Sequence, residues 1–146
     1  MIKHTDNRAD IISLWMEAFG DSEEEVIFFL DNAIDKECIA CYDNDEMQAM
    51  LFLVKCNFGK YIYCACTAKK HRGKGIMSEL LAFCKKNETM LCLIPANDGL
   101  VDFYQQRGFD IKLNINDLQF HQSEEVNEYL FEGYQLSEPV ALMWKG

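Results

Sequence analysis

From Asp10 to Gly20, Ile11, Trp15, Ala18 and Phe19 recur on one stripe of a 3.6-residue repeat. That pattern predicts an amphipathic helix closed by Gly20. Ser22-Glu23-Glu24-Glu25 then has the form of a capping box, in which the Ser hydroxyl accepts from the amide of Glu25 and the Glu25 carboxylate reaches back. The helix that follows turns Val26, Phe29, Leu30 and Ala33 inward. Beyond it the period drops to two. Residues 36–43 and 47–56 read as strands joined by the turn Asp43-Asn44-Asp45-Glu46, and a third strand over 60–67 follows Asn57-Phe58-Gly59. These three predict an antiparallel meander. Ala49-Met50-Leu51-Phe52-Leu53-Val54 is apolar at every position, which places that strand at the centre of its sheet.

The second half alternates helix and strand. Ile76, Leu80, Phe83 and Cys84 define the inward face of a helix over 74–87. A short buried strand, Met90 to Ile94, stops at Pro95, which cannot donate to a ladder. Asn97 or Asp98 can cap a helix running to Arg107, with Gly108 as its C-cap. Phe109, Ile111, Leu113 and Ile115 alternate with Asp110, Lys112, Asn114 and Asn116, the signature of a half-exposed strand. A capped helix from Ser123 to Phe131 and a strand over 140–144 complete an ααβββαβαβαβ order. The expected fold is an α/β sandwich with a mixed sheet, and 146 residues suit one domain spanning 1–146.

Composition narrows the function. With 49% apolar and 26% charged residues the chain reads as globular rather than disordered. No apolar run reaches the ~18 residues of a membrane span, and Met1-Ile2-Lys3-His4-Thr5-Asp6 is no signal peptide, so a cytoplasmic protein is expected. The net charge of −10 argues against nucleic acid as a partner. The seven cysteines then read as reduced thiols packed as small hydrophobes. Cys38-x-x-Cys41 lies in a strand, where residues three apart face opposite ways, and no His stands at finger spacing, so no metal is expected. The charge is uneven: residues 60–86 hold seven cations against one acid, +6, and the other seven cations and 23 acids leave −16 elsewhere. A basic island in an acidic protein suits a small polyanionic ligand, although a solvated helix face would show the same run.

The island contains the chemistry. The strand Tyr61–Thr67 runs into Ala68-Lys69-Lys70-His71-Arg72-Gly73-Lys74-Gly75-Ile76-Met77-Ser78 and then a helix. Gly73 and Gly75 allow positive φ, so successive amides can converge on an anion, to which the helix N-terminus adds its dipole and Arg72 and Lys74 their charge. A diphosphate cradle is the physical expectation. The loop lacks the Gly-x-x-x-x-Gly-Lys-Ser/Thr spacing of a P-loop. It also carries Ser78 where a dinucleotide fingerprint has its third glycine, and it is too long for that tight turn. Coenzyme A is the third candidate.

Arg72-Gly73-Lys74-Gly75-Ile76-Met77 resembles the Arg/Gln-x-x-Gly-x-Gly/Ala motif of the GNAT superfamily of N-acetyltransferases, with Met77 in place of a small residue. Asn97-x-x-Leu100-x-x-Phe103-Tyr104-Gln105-Gln106-Arg107-Gly108-Phe109 resembles a second segment of the same superfamily, with Leu100 in place of Ala. Ala18-Phe19-Gly20-Asp21-Ser22 and Leu93-Ile94-Pro95-Ala96 look most similar to single-domain bacterial members distantly like the enhanced-intracellular-survival group. The resemblance implies a GNAT-type fold with acetyl-CoA, as co-substrate, lying between the strands 61–67 and 90–94. It further implies pantetheine contacts to backbone groups of Ala65, Cys66 and Thr67, and the pyrophosphate on the amides of Gly73, Lys74, Gly75, Ile76, Met77 and Ser78 beside Arg72. Asn97 would then bond the pantetheine region, and Tyr104 would protonate the departing thiolate. A phenol of pKa ~10 suits that role because it lies near a thiol.

Each residue also has a plainer reading. Tyr104 can be a core aromatic, Asn97 an N-cap, Arg72 and Lys74 surface cations, and Cys64 and Cys66 strand packing. His71 sits in the phosphate loop, away from a thioester. Tyr61 and Tyr63, expected on the same face as Ala65 and Thr67, can line an acceptor site. The acceptor implied is a small-molecule or peptide amine, drawn in if cationic by the acidic remainder of the chain. A homodimer is compatible with all of this. A non-catalytic acyl-CoA-binding module and a nucleotide-binding domain are the alternatives.

Overall fold

The strand β3 (Glu46–Cys56) crosses the middle of the molecule with apolar side chains on both faces. Met50, Phe52 and Val54 enter one layer of core, and Leu51 and Leu53 enter the other. This is what an uninterrupted apolar strand requires, since both its faces must be covered. The computed structural model describes residues 1–146. The strands β2 (Lys36–Asp43) and β4 (Gly59–Thr67) flank β3 antiparallel, completing the expected meander. In the β2–β3 turn Asn44 and Asp45 take φ of 49° and 64°, the backbone hand of tight hairpins.

Four shorter strands, β1 (Ile2–Thr5), β5 (Met90–Leu93), β6 (Ile111–Asn114) and β7 (Val140–Lys145), extend the sheet to the order β1-β2-β3-β4-β5-β7-β6. Only the β4–β5 pair is parallel. On one face α1 (Arg8–Phe19), α2 (Glu23–Asn32) and α5 (Glu124–Leu130) bury Ile11, Trp15, Phe29 and Leu130. On the other, α3 (Ile76–Asn87) and α4 (Asp98–Gln105) bury Leu80, Leu81, Cys84 and Tyr104. The chain thus forms the expected mixed α/β architecture. Cys38 and Cys41 enter opposite layers, as strand spacing requires. No helix is long and apolar enough to cross a membrane.

Four expectations need correction. The order begins with β1, an edge strand whose polar positions show no clean alternation; it pairs antiparallel with β2, and the Met1 ammonium donates to the Tyr42 carbonyl at 2.7 Å. Phe19 is 46% exposed rather than inward, and Leu14 fills the core position. The helix expected from residue 74 begins at Ile76, because Gly75 is left-handed and stands outside it as N-cap. The alternating segment after Gly108 is a strand only over Ile111–Asn114. Phe109 belongs to the α3–α4 layer, and Ile115 opens a short 3-10 turn and enters the other layer.

Candidate active site

The parallel strands β4 and β5 pair only at Lys60–Leu91 and Tyr61–Cys92, and then separate. A bulge in β4 explains the divergence. The register against β3 passes from Phe52–Tyr63 to Met50–Cys66, so Cys64 and Ala65 together oppose Leu51, and Cys64 takes a φ of 57°. One extra residue bends a strand and leaves backbone groups outside the ladder. It also resets the alternation. Tyr61, Tyr63, Cys64 and Cys66 pack toward the α1–α2–α5 layer and Ala65 toward α3 and α4, so Tyr61 and Tyr63 do not share a face with Ala65 as the pattern predicts. Burial pushes the Cys64 thiol well above its ordinary value, helped by its bond to Cys66. A protonated, buried thiol is packing rather than nucleophile.

At the entry to α3, Gly73 and Gly75 have φ of 79° and 77°, and nothing lies within 4 Å of where a Cβ would stand on either. The glycines therefore serve backbone conformation and not space. No protein group accepts from the amides of Gly73, Lys74, Gly75, Ile76, Met77 or Ser78. Six successive donors at the positive end of a helix have the chemistry an anion site requires. Lys74 pairs with no carboxylate, whereas Lys70 is held by Glu46 and Lys60 by Glu37 and Glu88. Arg72 Nε donates to the Thr67 carbonyl at 3.1 Å, which engages one of the backbone groups expected to meet pantetheine. His71 is bound by Gln48 and Glu46 at 3.3 and 3.2 Å and does not line the cleft.

Where β4 and β5 part, a cleft of about 310 Å³ opens, with Tyr63, Ala65, Leu93, Ile94 and Tyr104 in its walls. Tyr104 is 8% exposed, and phenylalanines 103 and 109 stand edge-on to its ring. Burial pushes its phenol up to about 12, with Cys66 adding to the rise and Arg107 opposing it. The hydroxyl takes part in no hydrogen bond within the protein and borders the cleft. Arg107, one turn on, donates from Nε to Ser78 Oγ at 2.7 Å and lies 3.6 Å over the Phe103 ring. The Ser78 hydroxyl is thereby occupied, and the phenol and the α3 turn are braced as one unit. Asn97 caps α4, its Oδ1 accepting from Leu100 at 3.1 Å, between the cleft residues Ala96 and Leu100.

Of the residues expected at the site, Ala65 and Tyr104 line this cleft, whereas Cys66, Thr67, Asn97 and the turn over 72–78 do not. Asp21, Glu25, Tyr129, Glu132 and Tyr134 also line it. The segment after α5 reaches the cleft because Gln135 donates to the Ala96 carbonyl at 2.8 Å and Ser137 to Asp98 at 3.0 Å. Those contacts join residues some forty positions apart, and no local pattern signals them. A larger cavity, about 440 Å³, lies among His4, Arg8, Lys36 and Glu37 and includes none of the motif residues.

Residues 8–109 match the family model described as Acetyltransferase (GNAT) family. Among solved structures, a GNAT family acetyltransferase from Elizabethkingia anophelis with acetyl-CoA bound is 19% identical with a TM-score of 0.67, over 100% of this chain and 97% of that one. An acetyltransferase of the GNAT family from Staphylococcus aureus gives 13% identity and 0.68 over 99% and 98%. A Pyrococcus horikoshii protein described as a candidate acetyltransferase gives 20% and 0.57, but this chain covers only 41% of its length. At such identities the likeness establishes a shared fold. No curated protein sequence matches the chain.

Proposed function

This chain belongs to the GNAT acetyltransferase family, and from that premise we propose that it transfers an acetyl group from acetyl-CoA to a primary amine of a small molecule or peptide. Two observations support the reading: the six amides of the turn into α3 have no acceptor in the protein, and Tyr104 lines the cleft where β4 and β5 part. Acetyl-CoA supplies the activated acetyl group as a thioester. The amides of Gly73 to Ser78, with Arg72 and Lys74, hold its diphosphate, and the edge of β4 at Ala65, Cys66 and Thr67, where Arg72 already engages the Thr67 carbonyl, receives the pantetheine arm beside Asn97. At Ala65, which the bulge leaves without a register partner, a backbone amide can polarise the reacting carbonyl.

Tyr104 faces the sulfur in this reading. Its pKa of about 12 lies well above the ~8.5 of a thiol, so the phenol stays protonated and acts by donating a hydrogen bond to the sulfur as charge develops there. That refines the simpler expectation of matched acidities. The amine attacks directly, and its proton leaves toward the carboxylates of the cleft rim or water.

Tyr104→Phe tests the assignment by thiol release and calorimetry. The kcat falls on the order of 100-fold, as for loss of one hydrogen-bond donor to developing charge, while acetyl-CoA affinity is unchanged. An unaltered rate removes Tyr104 from the chemistry. A wild-type protein that binds acetyl-CoA and acetylates no amine supports the non-catalytic module instead.

A further inference from the structure

The rim of the cleft has a one-sided chemistry. Asp21, Glu25 and Glu132 line it, and no Lys, Arg or His does. Trp15, Tyr63, Tyr129 and Tyr134 line the same cleft. The acids are held without being neutralised. Trp15 Nε1 donates to Asp21 Oδ2 at 2.8 Å, leaving Oδ1 free. The Ser22 amide and hydroxyl both bond Glu25 Oε1, leaving Oε2 free. Glu132 forms no ion pair and is exposed at the end of α5. Burial raises the Tyr129 phenol, and Glu25, Glu132, Asp21 and Glu125 add to the rise. Inside this rim lies Tyr104, 8% exposed, whose hydroxyl has no partner in the protein and is open to the same cavity.

Carboxylates with unfilled oxygens, in a cleft that also holds aromatic rings and no competing cation, match a ligand that carries positive charge on a slender apolar body. Extra charge at the rim cannot come from the reacting nitrogen, which must be neutral to attack. We propose that the acceptor is a small amine bearing a second positive charge, of the aliphatic diamine or polyamine class, whose distal ammonium sits among Asp21, Glu25, Glu132 and the tyrosine rings while its near amine approaches Tyr104. This rests on the acetyltransferase reading, and the half-exposed Phe19 adds apolar surface to the same cleft wall.

The test compares 1,4-diaminobutane with pentylamine, a monoamine of matched length, and with 5-aminopentanoate. Calorimetry without acetyl-CoA reads the rim alone, and thiol release with acetyl-CoA reads transfer. The diamine binds and reacts about tenfold better than the monoamine, the anion is the poorest, and Glu132→Lys cuts the diamine's advantage at least threefold. Equal calorimetric affinity for diamine and monoamine overturns the proposal even if both are acetylated, in which case the acetyltransferase reading stands. Calorimetric preference for the diamine without transfer to any amine overturns the acetyltransferase reading and, with it, the acceptor role assigned to this rim.

Discussion

The N-termini of α2 and α3 face the same problem, amides without helical acceptors, and meet it in opposite ways. At α2, Ser22 Oγ accepts from the Glu25 amide at 3.2 Å and Glu25 Oε1 accepts from the Ser22 amide at 3.1 Å, so the end is closed by its own side chains. At α3 the N-cap is Gly75, which has no side chain to offer, and the approach through Gly73 leaves six amides open. A glycine cap forgoes roughly a few tenths of a kcal/mol that a Ser or Asp would contribute. The closed end serves stability, and the open one keeps its donors for an anion that binds later.

Making the open end resemble the closed one is the strongest way to break the contrast. Gly75→Asp places a capping carboxylate and a negative charge in the turn, and Asp tolerates the left-handed backbone better than most residues. Acetyl-CoA affinity falls about 100-fold by calorimetry, because at least two charge-assisted hydrogen bonds are lost. The converse change, Ser22→Ala, lowers unfolding free energy by about 1 kcal/mol in urea titrations and leaves acetyl-CoA affinity as it was. If Ser22→Ala weakened the coenzyme as Gly75→Asp does, the two ends would not have separate duties. The smallest effect is expected at Lys74, exposed and unpaired: Lys74→Ala weakens acetyl-CoA about threefold at low salt, a difference that closes as salt is raised.

The same contrast separates what the sequence reveals from what it conceals. The capping box and the two glycines are local devices, visible as residue spacings, and β3 announced its central place by being apolar throughout. The bulge at Cys64 was hidden because a non-glycine residue in the left-handed region leaves no trace in hydropathy. Ala65 therefore faces the layer opposite to Tyr61 and Tyr63, against the simple alternation of the strand. Arg107 looks like an ordinary helix-end cation until Ser78 is brought beside it. Glu132 and Tyr134 join the cleft through backbone bonds from Gln135 to Ala96, which depend on the finished fold.

The open amides of the α3 turn can be observed one by one. In a proton–nitrogen correlation spectrum, titration with coenzyme A should shift the signals of residues 73–78 strongly downfield as each gains an anionic acceptor, while those of residues 22–25 stay in place. Saturable binding of coenzyme A with residues 73–78 unmoved would contradict the account.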